Sequence, residues 1–100
     1  MLSHVVYFTL KDRGPEAIAA LVASCRKHLA GHPGEVSFSV GTCAAEYDRA
    51  VNDRDWDVAL TIVFRSPADH DAYQTAPRHT QFIAENAPGW AKVRVFDAQL

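Results

Sequence analysis

The sequence predicts a single α+β domain of βαββαβ order, with four strands in one antiparallel sheet and the helices on one of its faces. Three observations predict it. Four short runs are rich in β-branched and aromatic residues. Between them lie amphipathic runs with apolar residues three and four apart. Gly, Pro, Ser and Asp punctuate most of the boundaries.

The first strand is His4-Val5-Val6-Tyr7-Phe8-Thr9-Leu10, and Lys11 to Gly14 turns the chain. Pro15 suits the first helical position, where its missing N–H costs nothing, and Glu16 complements the positive helix end. Ile18, Leu21, Val22, Cys25 and Leu29 then form one stripe, which Gly31 and Pro33 end. Val36, Phe38 and Val40 alternate with Ser37, Ser39 and Gly41 in a second strand, followed by a polar loop from Cys43 to Arg54. A third strand spans Asp57 to Phe64. Ser66-Pro67-Ala68-Asp69 is a helix start with Ser66 as N-cap. That helix turns Asp69, Ala72, Tyr73 and Ala76 to one side. Pro77 should break it by pushing Ala76 out of the α region. A further short helix then carries His79, Phe82 and Ile83, Pro88-Gly89 breaks again, and Lys92 to Phe96 is the last strand. This order is the split βαβ of ferredoxin-like folds, in which the first and third strands are central.

Composition narrows the classes. One hundred residues make one domain, 1–100, able to bury about two thirds of its unfolded surface. With 48% hydrophobic residues the chain is globular, and a net charge of −2 gives no electrostatic footprint for nucleic acid. No apolar run is long enough to span a membrane or to act as a signal peptide, so no membrane partner and a cytoplasmic location are expected. Cys25 on a helical stripe and Cys43 in a loop suggest two reduced thiols.

Strand alternation assigns the two faces of the sheet different tasks. His4, Val6, Phe8 and Leu10, with Val58, Leu60, Ile62 and Phe64, should meet the helices. Val5, Tyr7, Thr9, Ala59, Thr61 and Val63 carry no charge, although no further element is left to cover them. A second copy stacked on that face, as a homodimer, is the simplest cover.

Three polar tips should converge between helices and sheet: His4 on the first strand, Tyr73 on its helix and His79 on the next. Each would cost free energy if buried unpaired. Together in an apolar hollow they describe a ligand site, lined by Val6, Phe8, Leu60, Phe82, Val93 and Val95, with Trp90 closing one end. An imidazole near neutrality can take a proton, and a phenol can donate to a developing enolate oxygen. His79 is thus the candidate base and Tyr73 the candidate donor. His28 and His32 are four apart, a metal-ligand spacing, but Gly31 and Pro33 interrupt the helix there, and helix-end histidines commonly meet the last carbonyls instead. With no third ligand at a recognisable spacing, no metal and no cofactor is expected. His70 is expected on the exposed face with Asp71.

His4-Val5-Val6-Tyr7-Phe8, Asp57-Val58-Ala59-Leu60, and Tyr73 with Ala76-Pro77-Arg78-His79 together resemble the stress-responsive A/B barrel (Dabb) family, as do Trp90 and Val93-Arg94-Val95-Phe96-Asp97. Ala76 stands where the family's Tyr-x-x-His-Pro-x-His pattern has its first His. The resemblance covers nearly the whole chain and implies a dimeric α/β barrel. It also implies a role for Tyr73 and His79, since a plant polyketide cyclase of the family uses a Tyr–His pair for an aldol cyclisation without cofactor, and His4 matches a further pocket histidine. That cyclase lines its pocket with aromatic side chains where this chain has Leu21, Val22 and Cys25. Three functions follow as expectations: a protein that binds a small apolar or aromatic organic molecule, a cofactor-free cyclase, isomerase or lyase, and a non-catalytic stress protein. Cofactor-free monooxygenases of the same fold are a further analogy.

Overall fold

A computed structural model describes all residues, 1–100. The elements are β1 (Leu2–Leu10), α1 (Pro15–Leu29), β2 (Glu35–Thr42), β3 (Val58–Phe64), α2 (Pro67–Thr75), α3 (Pro77–Asn86) and β4 (Trp90–Gln99), with a 3₁₀ turn at Ala87–Gly89 before β4. The sheet runs β2-β3-β1-β4, antiparallel throughout. The ferredoxin-like order and the central places of β1 and β3 are as the sequence predicts. β1 and β4 extend beyond their predicted ends, β4 most of all, whereas β3 starts one residue later than predicted, at Val58. Ladder hydrogen bonding to β1 continues along β4 to Gln99, past the last residue that hydrophobicity marks.

Alternation along β1 is complete: Leu2, His4, Val6, Phe8 and Leu10 are buried, and the residues between them are half-buried. β3 behaves identically, burying Val58, Leu60, Ile62 and Phe64. These two strands face Leu21, Cys25 and Leu29 of α1, Tyr73 of α2 and Phe82 of α3 in one core. Each fully buried large apolar side chain contributes about 1.5–3 kcal/mol relative to exposure. The helices lie over β2, β3 and each other, and α3 also meets the turn that leads into β4. Along β4 the helix-facing side is left open, with Val93 and Val95 exposed.

The helix ends are set by local chemistry. Ser66 Oγ accepts the Asp69 N–H at 3.2 Å and donates to Asp69 Oδ2 at 3.1 Å, fixing the start of α2. Ala76, held extended by Pro77 at φ −64°, ψ 143°, closes α2 and opens α3. At the end of α1, His32 Nε2 donates to the His28 carbonyl at 2.7 Å. Arg78 from α3 donates to the Lys27 and Ala30 carbonyls at 2.7 and 2.9 Å. His28 Nε2 reaches Glu85 Oε2 at 2.9 Å, tying α1 to α3. The two histidines are therefore engaged separately: His32 meets a helix-end carbonyl as expected, whereas His28 pairs with a carboxylate of α3 instead.

On the opposite sheet face the residues of the central strands β1 and β3 are half-buried, while Ser37 and Ser39 of β2 and Phe96 of β4 are exposed. Tyr7 packs edge-on against Trp56, from the loop before β3, and against Phe96 of β4, at centroid distances of 5.0 and 6.0 Å. β4 also brings Arg94 to this face, where Asp53 pairs with it at 2.8 Å. The long loop thus covers one end of a face that the sequence leaves wholly bare.

Candidate functional site

Where β4 escapes the helices, a cavity of about 160 Å³ opens between sheet and helices. Its walls include every apolar residue anticipated for it: Val6, Phe8, Leu60, Phe82, Val93 and Val95. Leu29, Gln74, Ile83 and Trp90 complete them, and His4, Tyr73 and His79 supply the polar tips. α1 contributes Leu29, whereas Leu21 and Cys25, expected at the pocket, are packed in the core. One turn of helix separates the two sets, and it is the last turn of α1 that faces the β1–β4 side. Cys25 is wholly buried, and burial pushes its thiol up to about 12, which disfavours the thiolate.

The polar tips are positioned by three elements. His4 is buried on β1 directly opposite Asp97 of β4 in the antiparallel register. Its Nδ1 lies 2.6 Å from Asp97 Oδ1. A carboxylate can only accept, so Nδ1 carries the proton and Nε2 keeps its lone pair. Burial lowers the His4 pKa, and the hydrogen bond and charge of Asp97 oppose that shift. Tyr73 is buried on α2, and burial raises its pKa. His79 stands in the first turn of α3, two residues after Pro77, edge-on to Tyr73 with ring centroids 4.7 Å apart. The pair packs as aromatic rings and shares no hydrogen bond. Burial lowers the His79 pKa, and the neighbouring imidazoles of His4, His32 and His70 add to the effect. Neither the Tyr73 nor the His79 shift has a hydrogen-bonding cause, so both groups keep donor or acceptor capacity for a guest.

Two residues of this neighbourhood escape the sequence reading. His70, expected on the surface, is mostly buried and packs on the His4 ring at 4.9 Å and on Phe64 at 5.6 Å. It precedes Tyr73 by three residues and so shares its face of α2, which was the signal available. Its Nδ1 still reaches exposed Asp71 Oδ1 at 3.3 Å. Asp97 lies beyond the predicted end of β4, and only the strand register places it against His4. At the other end of the cavity, Trp90 packs on Phe8 and Phe82. Its indole Nε1 is buried with no hydrogen-bond partner, an uncompensated donor beside the hollow.

Chemically, the arrangement offers an open apolar hollow with a carboxylate-oriented imidazole, a second neutral imidazole and a phenol. It can hold a small organic molecule by its apolar body and move a proton at its polar end.

Comparison with known proteins agrees with this architecture. The Dabb family member from Mesorhizobium loti MAFF303099, with a ferredoxin-like fold, superposes with a TM-score of 0.81 at 20% identity, covering 99% of this chain and 95% of its own. A dimeric ferredoxin-like protein of unknown function from Thermobifida fusca YX gives 0.79 at 21% identity, covering 99% and 90%. The hydroxynitrile lyase of Passiflora edulis gives 0.78 at 22% identity, covering 99% and 92%. At these identities the likeness establishes the fold. Among curated proteins, none matches the chain. The stress responsive A/B barrel domain, however, matches residues 2–100. The chain therefore belongs to the stress-responsive A/B barrel (Dabb) family.

Proposed function

We propose that this protein is a homodimer, joined through the open sheet face, that binds a small apolar or aromatic organic molecule in the cavity of each subunit. The cavity carries the reading: about 160 Å³ with mainly hydrophobic walls and, at one end, polar groups of unspent hydrogen-bonding capacity. A dry apolar cavity of about 150 Å³ accommodates a benzene-sized guest, so the size suits one ring. Pairing is supported by the half-buried face of Val5, Tyr7, Thr9, Ala59, Thr61 and Val63 and by the dimeric relative of the same fold.

Thermal shift and calorimetry with phenol, p-cresol and benzaldehyde test the binding. Saturable stabilisation is expected in the wild-type chain and its loss in Leu60→Trp, which fills the hollow. Equal response of both proteins would reject the cavity as the site.

A second reading, a cofactor-free lyase, isomerase or cyclase, is favoured by the 2.6 Å contact that orients His4 and by Tyr73 and His79 beside it. A hydroxynitrile lyase on the same fold is consistent with such chemistry. In this reading His79 takes the proton and Tyr73 donates to the developing oxyanion. Should screening find a turnover, His79→Ala is expected to abolish it with the fold intact. Full turnover in that variant would leave the binding reading or a purely structural, stress-related role.

A further inference from the structure

His70, packed on His4, completes a set of donors that no spacing in the sequence announces. One ligand atom from each of His4, His70 and Asp97 lies within 4.8 Å of the others. They come from β1, α2 and β4, so the tertiary fold assembles them. We propose that His4, His70 and Asp97 form a binding site for one divalent transition-metal ion of the zinc class, beside the cavity.

Donor chemistry selects the class. Two imidazoles and one carboxylate suit Zn²⁺, Fe²⁺, Co²⁺ or Ni²⁺, whereas Mg²⁺ and Ca²⁺ require all-oxygen sets. Three protein ligands would leave at least one coordination position for water or a guest molecule.

The surroundings prepare each ligand. Nδ1 of His70 lies 3.3 Å from Asp71 Oδ1, a carboxylate that fixes the tautomer and leaves Nε2 with its lone pair. The Gln74 amide nitrogen lies 3.0 Å from that same Nε2, consistent with an acceptor there. An incoming ion would displace this neutral contact. His4 is buried and held by its strand, and the side chain of Asp97 is 41% exposed, so it opens the site to solvent.

Distances require only local adjustment. Donors bound at about 2.1 Å to one ion stand roughly 3–3.4 Å apart. His4 Nδ1 and Asp97 Oδ1, at 2.6 Å around a shared proton, would open slightly as the ion replaces that proton. His70, whose ligand atom lies within 4.8 Å of the others, would close the remaining gap by a shift of its side chain on α2. His28 and His32 cannot compete as a pair, because Glu85 and the His28 carbonyl already hold them.

This inference shares His4 with the cavity but does not need the hollow to be occupied, so metal binding and organic-ligand binding can fail separately. Its test is calorimetric titration of Zn²⁺ into untagged, chelator-treated full-length protein, with Co²⁺ absorption as a second readout. One ion per chain is expected, with visible d–d bands from bound Co²⁺. His70→Gln and Asp97→Asn should each weaken binding at least tenfold, and His28→Gln should leave it unchanged. Absence of saturable binding at one ion per chain would overturn the site, as would affinity unaltered in both ligand variants. If Asp97→Asn disturbs folding, judged by circular dichroism, His70→Gln on the surface helix decides the matter alone.

Discussion

Tyr73 is ringed by imidazoles: His79 at 4.7 Å, His32 at 5.0 Å, His4 at 5.9 Å and His70 at 6.5 Å between centroids. Such packing is favourable while the rings stay neutral, and burial enforces neutrality by raising the tyrosine and lowering His4 and His79. A protonated His79 would face a buried environment and three other imidazoles. The linkage follows. With its folded pKa below the unfolded value of 6.5, His79 binds more protons unfolded than folded between those two values. Its favourable contribution is therefore complete above pH 6.5 and is lost as pH falls toward the folded pKa. In metal-free protein the melting temperature should drop on acidification through this window. His79→Gln should flatten the pH profile, as measured by thermal melts from pH 7.5 to 5. An unchanged profile in that variant would place the acid sensitivity elsewhere. The same neutrality leaves His79 able to accept a proton at physiological pH, which the lyase-type reading requires.

At the scale of elements, the connections as well as the core position the site. Gly34 follows α1 with φ +85°, and its carbonyl accepts the Arg65 N–H at 2.8 Å. A Cβ there would collide with the side chain of Asp69, the residue that pairs with Ser66 to start α2. Gly34→Ala thus combines a left-handed backbone penalty with displacement of the α2 cap. A loss of about 2–3 kcal/mol in denaturant unfolding is expected. A loss below ~0.5 kcal/mol would mean that α2 does not depend on this turn. The elements themselves were mostly legible, because Pro15, Ser66 and Pro77 act through local sterics and hydrogen bonds that need no knowledge of the rest of the chain. What stayed hidden is what tertiary pairing decides. Asp97 is polar and falls outside any apolar alternation, yet it extends β4 because β1 offers it ladder partners. His70 has the polarity of a surface residue, and only its phase on α2 relative to Tyr73 shows otherwise. The apolar lining was readable for the converse reason, since a period of two on β1, β3 and β4 fixes each side chain's face without reference to register.

The whole molecule is a slab of 35 by 30 by 17 Å, two layers thick, and its two broad sides differ in chemistry. One side carries the helices and, along the β1–β4 edge, the cavity. The other presents Val5, Tyr7, Ala59, Thr61 and Val63 half-buried, with Trp56 and Arg94 at one end. A face 35 by 30 Å offers roughly 1,000 Å², comparable with the ~800 Å² per partner of a stable interface. Val63 lies in the central strand β3, between Ser3 of β1 and Ser37 of β2 in the register, on the open face where a second sheet would bury a carboxylate without a partner. Val63→Glu should therefore convert a species of twice the chain's mass into one of the chain's mass, as measured by sedimentation velocity at about 10 μM. The wild type running as a monomer at that concentration would refute the pairing. The separation of faces adds a stricter demand. Because the cavity lies behind the sheet from the proposed interface, folded Val63→Glu monomer should keep its thermal response to p-cresol. If the folded monomer loses that response, the partner subunit must supply part of the site, and the assignment of one cavity to each chain fails.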